Sequence, residues 1–291
     1  MESKPEFNQI IYMGDSLTDQ GAANERMIGH VLPLRRISGL HGLSPLGRFT
    51  NGLTWSDNTS AKIANKLTID ELKKSHRMDS TDIADAVIDQ DKKVADSVRK
   101  NYHLRDDQAV KYKGYEVTRN YAEGGLSAHS YKYVPTHSFG RLFSRLVLST
   151  LGQMRQRLLA HDKEHGITDE QKAKMIVCEW SGENDFMTLN ERPSEYEAKR
   201  AIFDRVENVN ELIKHGYKHF VLFNLPDISL TPRYQAQSLK EQENAHNCIE
   251  FFNARLARKV AALQEANPGC TIRIFDVNSL FNEVYNNPAK F

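Results

Sequence analysis

The sequence predicts an α/β protein built on a mostly parallel sheet, and three observations predict it. Five short, apolar, β-branched runs recur along the chain. Amphipathic helical patterns of ten residues or more lie between most of them, so strands alternate with helices as in a parallel sheet. Glycine- and asparagine-rich turns follow several of the runs, and in such sheets sites gather at the carboxyl ends of the strands.

The first run, Ile10–Met13, and the third, Lys174–Trp180, have near-continuous apolar centres, as strands buried on both faces do. His219–Asn224 and Thr271–Val277 read the same way, which gives five strands with Glu116–Ala122. Glu116–Ala122 alternates polar with apolar and is expected at an edge or half exposed. Trp55–Lys66 carries apolar residues at helical spacing. One long helix is expected over Leu142–His165, where Val147, Leu151, Met154 and Leu158 share a face. Pro193–His215 is expected to begin with proline at the first helical position and to stop at Gly216. Ser238–Asn267 is a longer helix closed by Asn-Pro-Gly. Residues 70–108 are polar and rich in Asp, Lys and Ser, and read as an insertion or lid within a single domain over 1–291.

The chain has 291 residues, 26% charged, with a formal net charge of +1. That balance offers no strong field for nucleic acid or for an anionic membrane. The three cysteines, Cys178, Cys248 and Cys270, sit in or beside apolar runs without metal-ligand spacing and read as buried thiols. The first residues lack the apolar core of a signal peptide, and no run is long enough to cross a membrane. A cytoplasmic protein, or one exported without a cleaved leader such as a bacterial effector, is the expectation.

Chemistry concentrates at the strand ends. Gly14-Asp15-Ser16-Leu17-Thr18-Asp19 follows the first strand. Gly14 permits a tight turn, and Ser16 would then stand where a helix begins, its N–H free to face an anion. Alone, the segment is equally a helix cap. Asn120-Tyr121-Ala122-Glu123-Gly124-Gly125 and Ser181-Gly182-Glu183-Asn184-Asp185 end two further strands. Together the three could supply an oxyanion with the Ser16 N–H, a glycine N–H and the Asn184 amide. Asp15 and Asp185 read as supports that hold these loops by hydrogen bonds, and Asp227 as a turn residue.

These segments resemble the GDSL esterases and lipases, also called SGNH hydrolases. Gly14-Asp15-Ser16-Leu17 matches the family's first block, Asn120–Gly125 its glycine block, and Gly182-Glu183-Asn184-Asp185 its G-x-N-D block. Gly-Arg-Phe-Thr-Asn-Gly at 47–52 with Trp55, Asn224-Leu225-Pro226, Asn253–Leu256, Phe275-Asp276 and Asn287-Pro288 are similar to the larger, lipase-like branch. The resemblance implies a three-layer α/β/α sandwich of flavodoxin-like type. It implies ester hydrolysis through an acyl-enzyme on Ser16, with Ser16, Gly125 and Asn184 as the oxyanion hole and no metal or organic cofactor. A lipid or other acyl ester is the implied substrate, compatible with peripheral membrane contact. Transfer of the acyl group to an alcohol and hydrolysis of carbohydrate acetates are alternatives.

The family's closing D-x-x-H block, which supplies the orienting acid and the base, has no counterpart after Asn287-Pro288. The chain is therefore expected to be a shortened, weakly active or inactive form, and a catalytically incomplete binding module is the rival. Asp162-Lys163-Glu164-His165 spells D-x-x-H in the wrong chain order, and His161–His165 spells an inverted zinc motif. Both read better as a solvated helix end. His129, His41 and His137 are the remaining stand-ins for a base.

Overall fold

The computed structural model describes residues 8–28, 32–36, 47–76, 109–112, 115–190 and 192–290. Six strands form the main sheet: β1 (Gln9–Gly14), β2 (Ala109–Tyr112), β3 (Tyr115–Asn120), β4 (Met175–Trp180), β5 (His219–Phe223) and β6 (Thr271–Phe275). Their order is β2-β3-β1-β4-β5-β6. The five expected strands are all present and parallel to one another. The correction is one of number. A sixth strand, β2, pairs antiparallel with β3 and takes the edge, so β3 is one place in from it. Four residues between polar neighbours carry no period long enough to read as a strand.

Among the described residues the helices of five residues or more are α1 (Trp55–His76), α2 (Phe139–Val147), α3 (Leu151–Glu164), α4 (Glu183–Met187), α5 (Glu195–Lys214), α6 (Leu239–Ala266) and α7 (Val277–Asn286). The main core joins alternate side chains of the sheet, among them Ile11, Val177, Phe220 and Ile272, to Met154, Ile202 and Phe252 from α3, α5 and α6. A smaller cluster on the opposite face joins Tyr12, Cys178, Phe223 and Val277 with Trp55 of α1. Trp55 meets Tyr12 edge-on at 5.2 Å and Phe223 at 4.7 Å. Burial of such aromatic rings is the main stabilising term on that face. The result is a three-layer α/β/α sandwich.

Three helix expectations are corrected. The pattern over 142–165 is two helices, because Thr150 caps α3 with a reciprocal Thr150–Gln153 capping box and breaks the run after Val147. The first of the two starts at Phe139, where Ser138 is the cap. Pro193 precedes the cap Ser194 rather than opening α5. Of the 70–108 stretch, residues 70–76 continue α1, and 77–108 lie outside the described residues. All three cysteines are free thiols.

One buried ion pair anchors the segment before α1. Arg48 donates Nε to one Asp57 oxygen at 2.8 Å and Nη2 to the other at 2.7 Å, and Asp57 also accepts from the Thr54 N–H and hydroxyl. Next to it the Phe49 ring lies so close to Gly124 that any Cβ there would overlap it. Removing one partner strands the other charge in the interior, at a cost of roughly 3–5 kcal/mol. Arg48→Ala is thus expected to lower urea stability by about that amount. Adding Asp57→Ala to it should cost much less than a second such increment.

Candidate active site

The chain order of strands reverses at β1: β3 lies on one side of it and β4 on the other. The crevice above that reversal is where α/β sheets place ligands. The loops after β1, β3 and β4 all open onto it.

The loop after β1 begins at Gly14, where a Cβ would come within 2.5 Å of the Trp180 carbonyl, so only glycine lets β1 and β4 run this close. Asp15 is buried, donates its N–H to the Trp180 carbonyl, and accepts the Leu17 N–H at 3.1 Å. Ser16 follows, half-buried at the top of the turn. Neither its N–H nor its hydroxyl has a hydrogen-bond partner among the described residues. Thr18, two residues on, is tied down. The Thr18 carbonyl accepts from Ser56 at 2.9 Å and from the Asn120 amide at 2.7 Å, and the Thr18 hydroxyl accepts from the Trp55 indole at 3.1 Å.

Asp19 fastens this loop to the next. Its carboxylate accepts the N–H groups of Gly21, Ala22 and Ala23 at 2.6–3.1 Å and that of Gly124 at 2.7 Å. Burial pushes its pKa up to about 6 despite four donors. Gly125 comes next, at φ +82°, with Leu148 so close that a Cβ would lie 2.8 Å from its methyl group. The Gly125 N–H, too, has no partner among the described residues. Below it Glu123 accepts from Ser149 at 3.1 Å, from Arg157 at 2.9 Å and from Arg26.

The third loop carries Asn184 at the start of α4. Its Oδ1 accepts the Thr188 hydroxyl at 2.6 Å, and one N–H of its Nδ2 goes to the Leu126 carbonyl at 3.0 Å. The amide is therefore fixed in orientation with its second N–H spare. Asp185, fully buried, accepts the N–H groups of Ala128 and His129 at 2.8 and 3.0 Å and the Tyr131 hydroxyl at 3.1 Å. It locks the β4 loop onto the β3 loop, and burial raises its pKa to about 7. Glu183 stands against Asp15: the two buried carboxyls are in side-chain contact and both pKa values are driven upward by burial. Glu183 carries no local signal of this contact, because only the close approach of the two loops brings it there.

The expected support residues thus sit together with Ser16, Gly125 and Asn184. The histidines do not join them through any hydrogen bond to Ser16 among the described residues. His129 Nδ1 pairs with Asp204 of α5, and His246 Nδ1 of α6 pairs with Asp227 at 2.7 Å. Asp227 also caps the turn at Ser229, so it is a turn residue and a histidine partner at once. Neither pairing was foreseen, since each joins elements far apart in sequence. His137 is exposed and His41 lies outside the described residues. The Asp162–His165 stretch ends α3, but Asp162 is not solvated as expected: it is buried and accepts the Tyr217 hydroxyl at 2.8 Å. His161 and His165 stack at 4.0 Å, with His165 Nδ1 on the His161 carbonyl.

A parallel sheet whose β1 turn presents a serine beside two loops of spare N–H donors is the frame of a serine acylhydrolase. The model of the GDSL-like lipase/acylhydrolase family matches residues 10–290, and the chain belongs to that family. It is 24% identical over 295 residues to the phosphatidylcholine-sterol acyltransferase of Aeromonas hydrophila, covering 100% of this chain and 64% of that protein. It is 21% identical to the secreted effector protein SseJ of Salmonella typhimurium, over 96% of this chain and 49% of the other. A shorter match, 30% over 77 residues, covers 26% each of this chain and of an acetylesterase of Thermothelomyces thermophilus. The chain thus spans about half to two thirds of the length of the two relatives it matches from end to end.

Asp185 also gives the stability a pH dependence. Its carboxyl titrates at about 7 in the folded protein against an ordinary 3.8, so between those values the native state holds a proton the unfolded chain has released. Stability is then greatest in acid and falls as the pH rises through about 7, by a few kcal/mol. Asp19, raised to about 6, acts in the same direction. The urea midpoint measured from about pH 4.5 to 7.5 is expected to fall in the wild type and to fall less steeply in Asp185→Asn.

Proposed function

We propose that this protein is a serine ester hydrolase of lipid-type acyl esters, with Ser16 as its nucleophile. The observation that carries this is the spare donor set: where the Thr18, Asp19 and Asp185 hydrogen bonds hold the neighbouring loops, the Ser16 N–H, the Gly125 N–H and one Asn184 N–H have no partner among the described residues. The Ser16 hydroxyl adds to the acyl carbonyl, the carbonyl oxygen becomes an oxyanion, and those three donors receive it. Collapse expels the alcohol, which takes up the serine proton, and leaves an acyl-serine ester. Water then releases the acid, or a second alcohol takes the acyl group. Because the donors are held before substrate arrives, they need no reorganisation as charge develops. Asp15, Gly14 and Asp185 act by holding the loops. The relative that aligns over the whole chain bears the name of a phosphatidylcholine-sterol acyltransferase, which favours lipid esters over the carbohydrate acetates that the short acetylesterase match would favour.

A serine needs a base to react quickly. Among the described histidines none is bonded to Ser16, while His129 and His246 each stand on a carboxylate with Nε2 left for another partner. Without a coupled base an oxyanion hole still gives residual catalysis, so slow turnover is expected. This same lack favours a second reading, in which the site binds an ester without cleaving it.

Hydrolysis of p-nitrophenyl butyrate and labelling by a fluorophosphonate separate the two. Slow turnover that disappears in Ser16→Ala and drops about 10²–10³-fold in Asn184→Ala is the expected result. A further loss in His129→Ala or His246→Ala would identify the base. Equal rates for wild type and Ser16→Ala, with no label on Ser16, would sink the enzyme and leave the binding module.

A further inference from the structure

Two acids that the reaction itself does not use stand one place before two residues that it does. Asp15 precedes Ser16, and Glu183 precedes Asn184. Both are buried, Asp15 at 1% exposure and Glu183 at 8%. Trp180 brings them together. Its carbonyl accepts the Asp15 N–H at 3.3 Å, and its indole donates to Glu183 Oε1 at 3.0 Å. Asp15 Oδ1 accepts the Leu17 N–H at 3.1 Å. The second oxygen of each acid, Asp15 Oδ2 and Glu183 Oε2, is buried with no donor among the described residues. The two carboxyl groups meet side chain to side chain, one from the β1 loop and one from the β4 loop.

Two carboxylates cannot both stay ionised in such a contact, because neither is solvated and like charges repel strongly in the interior. With one proton between them a hydroxyl faces a carboxylate, and O–H···O⁻ is among the strong hydrogen bonds. The surroundings decide where the proton rests. The charged groups that face the pair are Glu179 of β4 and Arg205 of α5. Glu179 acts on Asp15 and favours its neutral form, whereas Arg205 acts on Glu183 and favours its charged form. Arg205 holds Glu179 by its Nε at 2.6 Å and the Phe223 carbonyl by its Nη2 at 2.8 Å. Burial raises both carboxyls, and their contact raises Asp15 further while it lowers Glu183. Asp15 therefore carries the proton and Glu183 the charge.

The site has two other carboxylate fastenings, Asp19 from the β1 loop to the β3 loop and Asp185 from the β4 loop to the β3 loop. Neither joins the β1 loop to the β4 loop, which carry Ser16 and Asn184. We propose that Glu183 is a positioning residue for acyl transfer: the Asp15 hydroxyl donates to its carboxylate, and this bond sets the Ser16 turn against the Asn184 turn. This deepens, and rests on, the hydrolase assignment above. Substrate never touches Glu183, which acts through the spacing of the nucleophile from the Asn184 amide. Loss of the proton does more than break the bond. It leaves two buried negative charges in contact, one on each turn, and forces the turns apart.

Two readouts test this. The first is the rate at which a fluorophosphonate labels Ser16. Glu183→Ala removes the acceptor and should slow labelling about tenfold or more at unchanged circular dichroism. Glu183→Gln keeps a hydrogen bond in place, its amide donating to an ionised Asp15, and should recover most of that loss. The second readout needs no chemistry and is made in Ser16→Ala. Above about pH 5 the unfolded chain has released the proton that the folded pair retains, so stability falls as the pH rises. The slope of urea stability against pH counts the protons released on unfolding. Asp15→Asn/Glu183→Gln, which pairs amide with amide, should release about one proton fewer. Labelling of Glu183→Ala at the wild-type rate, Glu183→Gln as slow as Glu183→Ala, or an unchanged proton count overturns the proposal. Wild type that takes no label while the proton count changes as expected sinks the hydrolase assignment instead, and leaves the bond between Asp15 and Glu183 standing.

Discussion

The Asp19 carboxylate is the bond on which the site depends. It accepts three N–H groups from its own loop and a fourth from Gly124, two strands' connections away in the chain. A carboxylate can accept this many donors because each oxygen has two lone pairs. In doing so it satisfies backbone groups that would otherwise be buried without partners. It also fixes the separation of the Ser16 and Gly125 N–H groups. Asp185 does for the β3 and β4 loops what Asp19 does for the β1 and β3 loops. Two buried acids thus join three loops into one rigid rim.

That rim has an electrostatic cost. Asp15, Glu183, Asp19 and Asp185 lie buried close to the crevice, and burial raises the pKa of each. Glu179, below them, is bound to the buried Arg205 at 2.6 Å. Asp15 and Glu183 each have one buried oxygen with no partner among the described residues. A single proton held between the two carboxyls relieves both their repulsion and that lack of partners.

The packing leaves the loops after β1 and β3 little room for a side chain at their glycines. Gly14 faces the Trp180 carbonyl, Gly124 faces the Phe49 ring, and Gly125 faces Leu148 at positive φ. Each glycine is required by a neighbour from a different part of the chain. The segment at 47–52, remote in sequence, is brought to the site through Phe49 and through the buried Arg48–Asp57 pair. Leu148 likewise couples the exposed helix α2 to the Gly125 loop.

The sequence by itself determined the five parallel strands, the alternation that makes the sheet, the family, and the strand-end loops that border the crevice. These are legible because strand burial leaves apolar runs and because each loop's chemistry lies in consecutive residues such as Gly14–Asp19. The split between α2 and α3 is also written in Thr150 and Gln153, three apart, but the apolar period continues across it and reads as one helix. What only the tertiary structure decided are the relations between loops: Glu183 against Asp15, Asp19 on Gly124, Asp204 on His129, and Asp227 on His246. The short edge strand β2 belongs with them, since its pairing with β3 makes it a strand. Ser16 stands in its turn because of local sequence, but its N–H and those of Gly125 and Asn184 are free together only because long-range bonds occupy the polar groups around them.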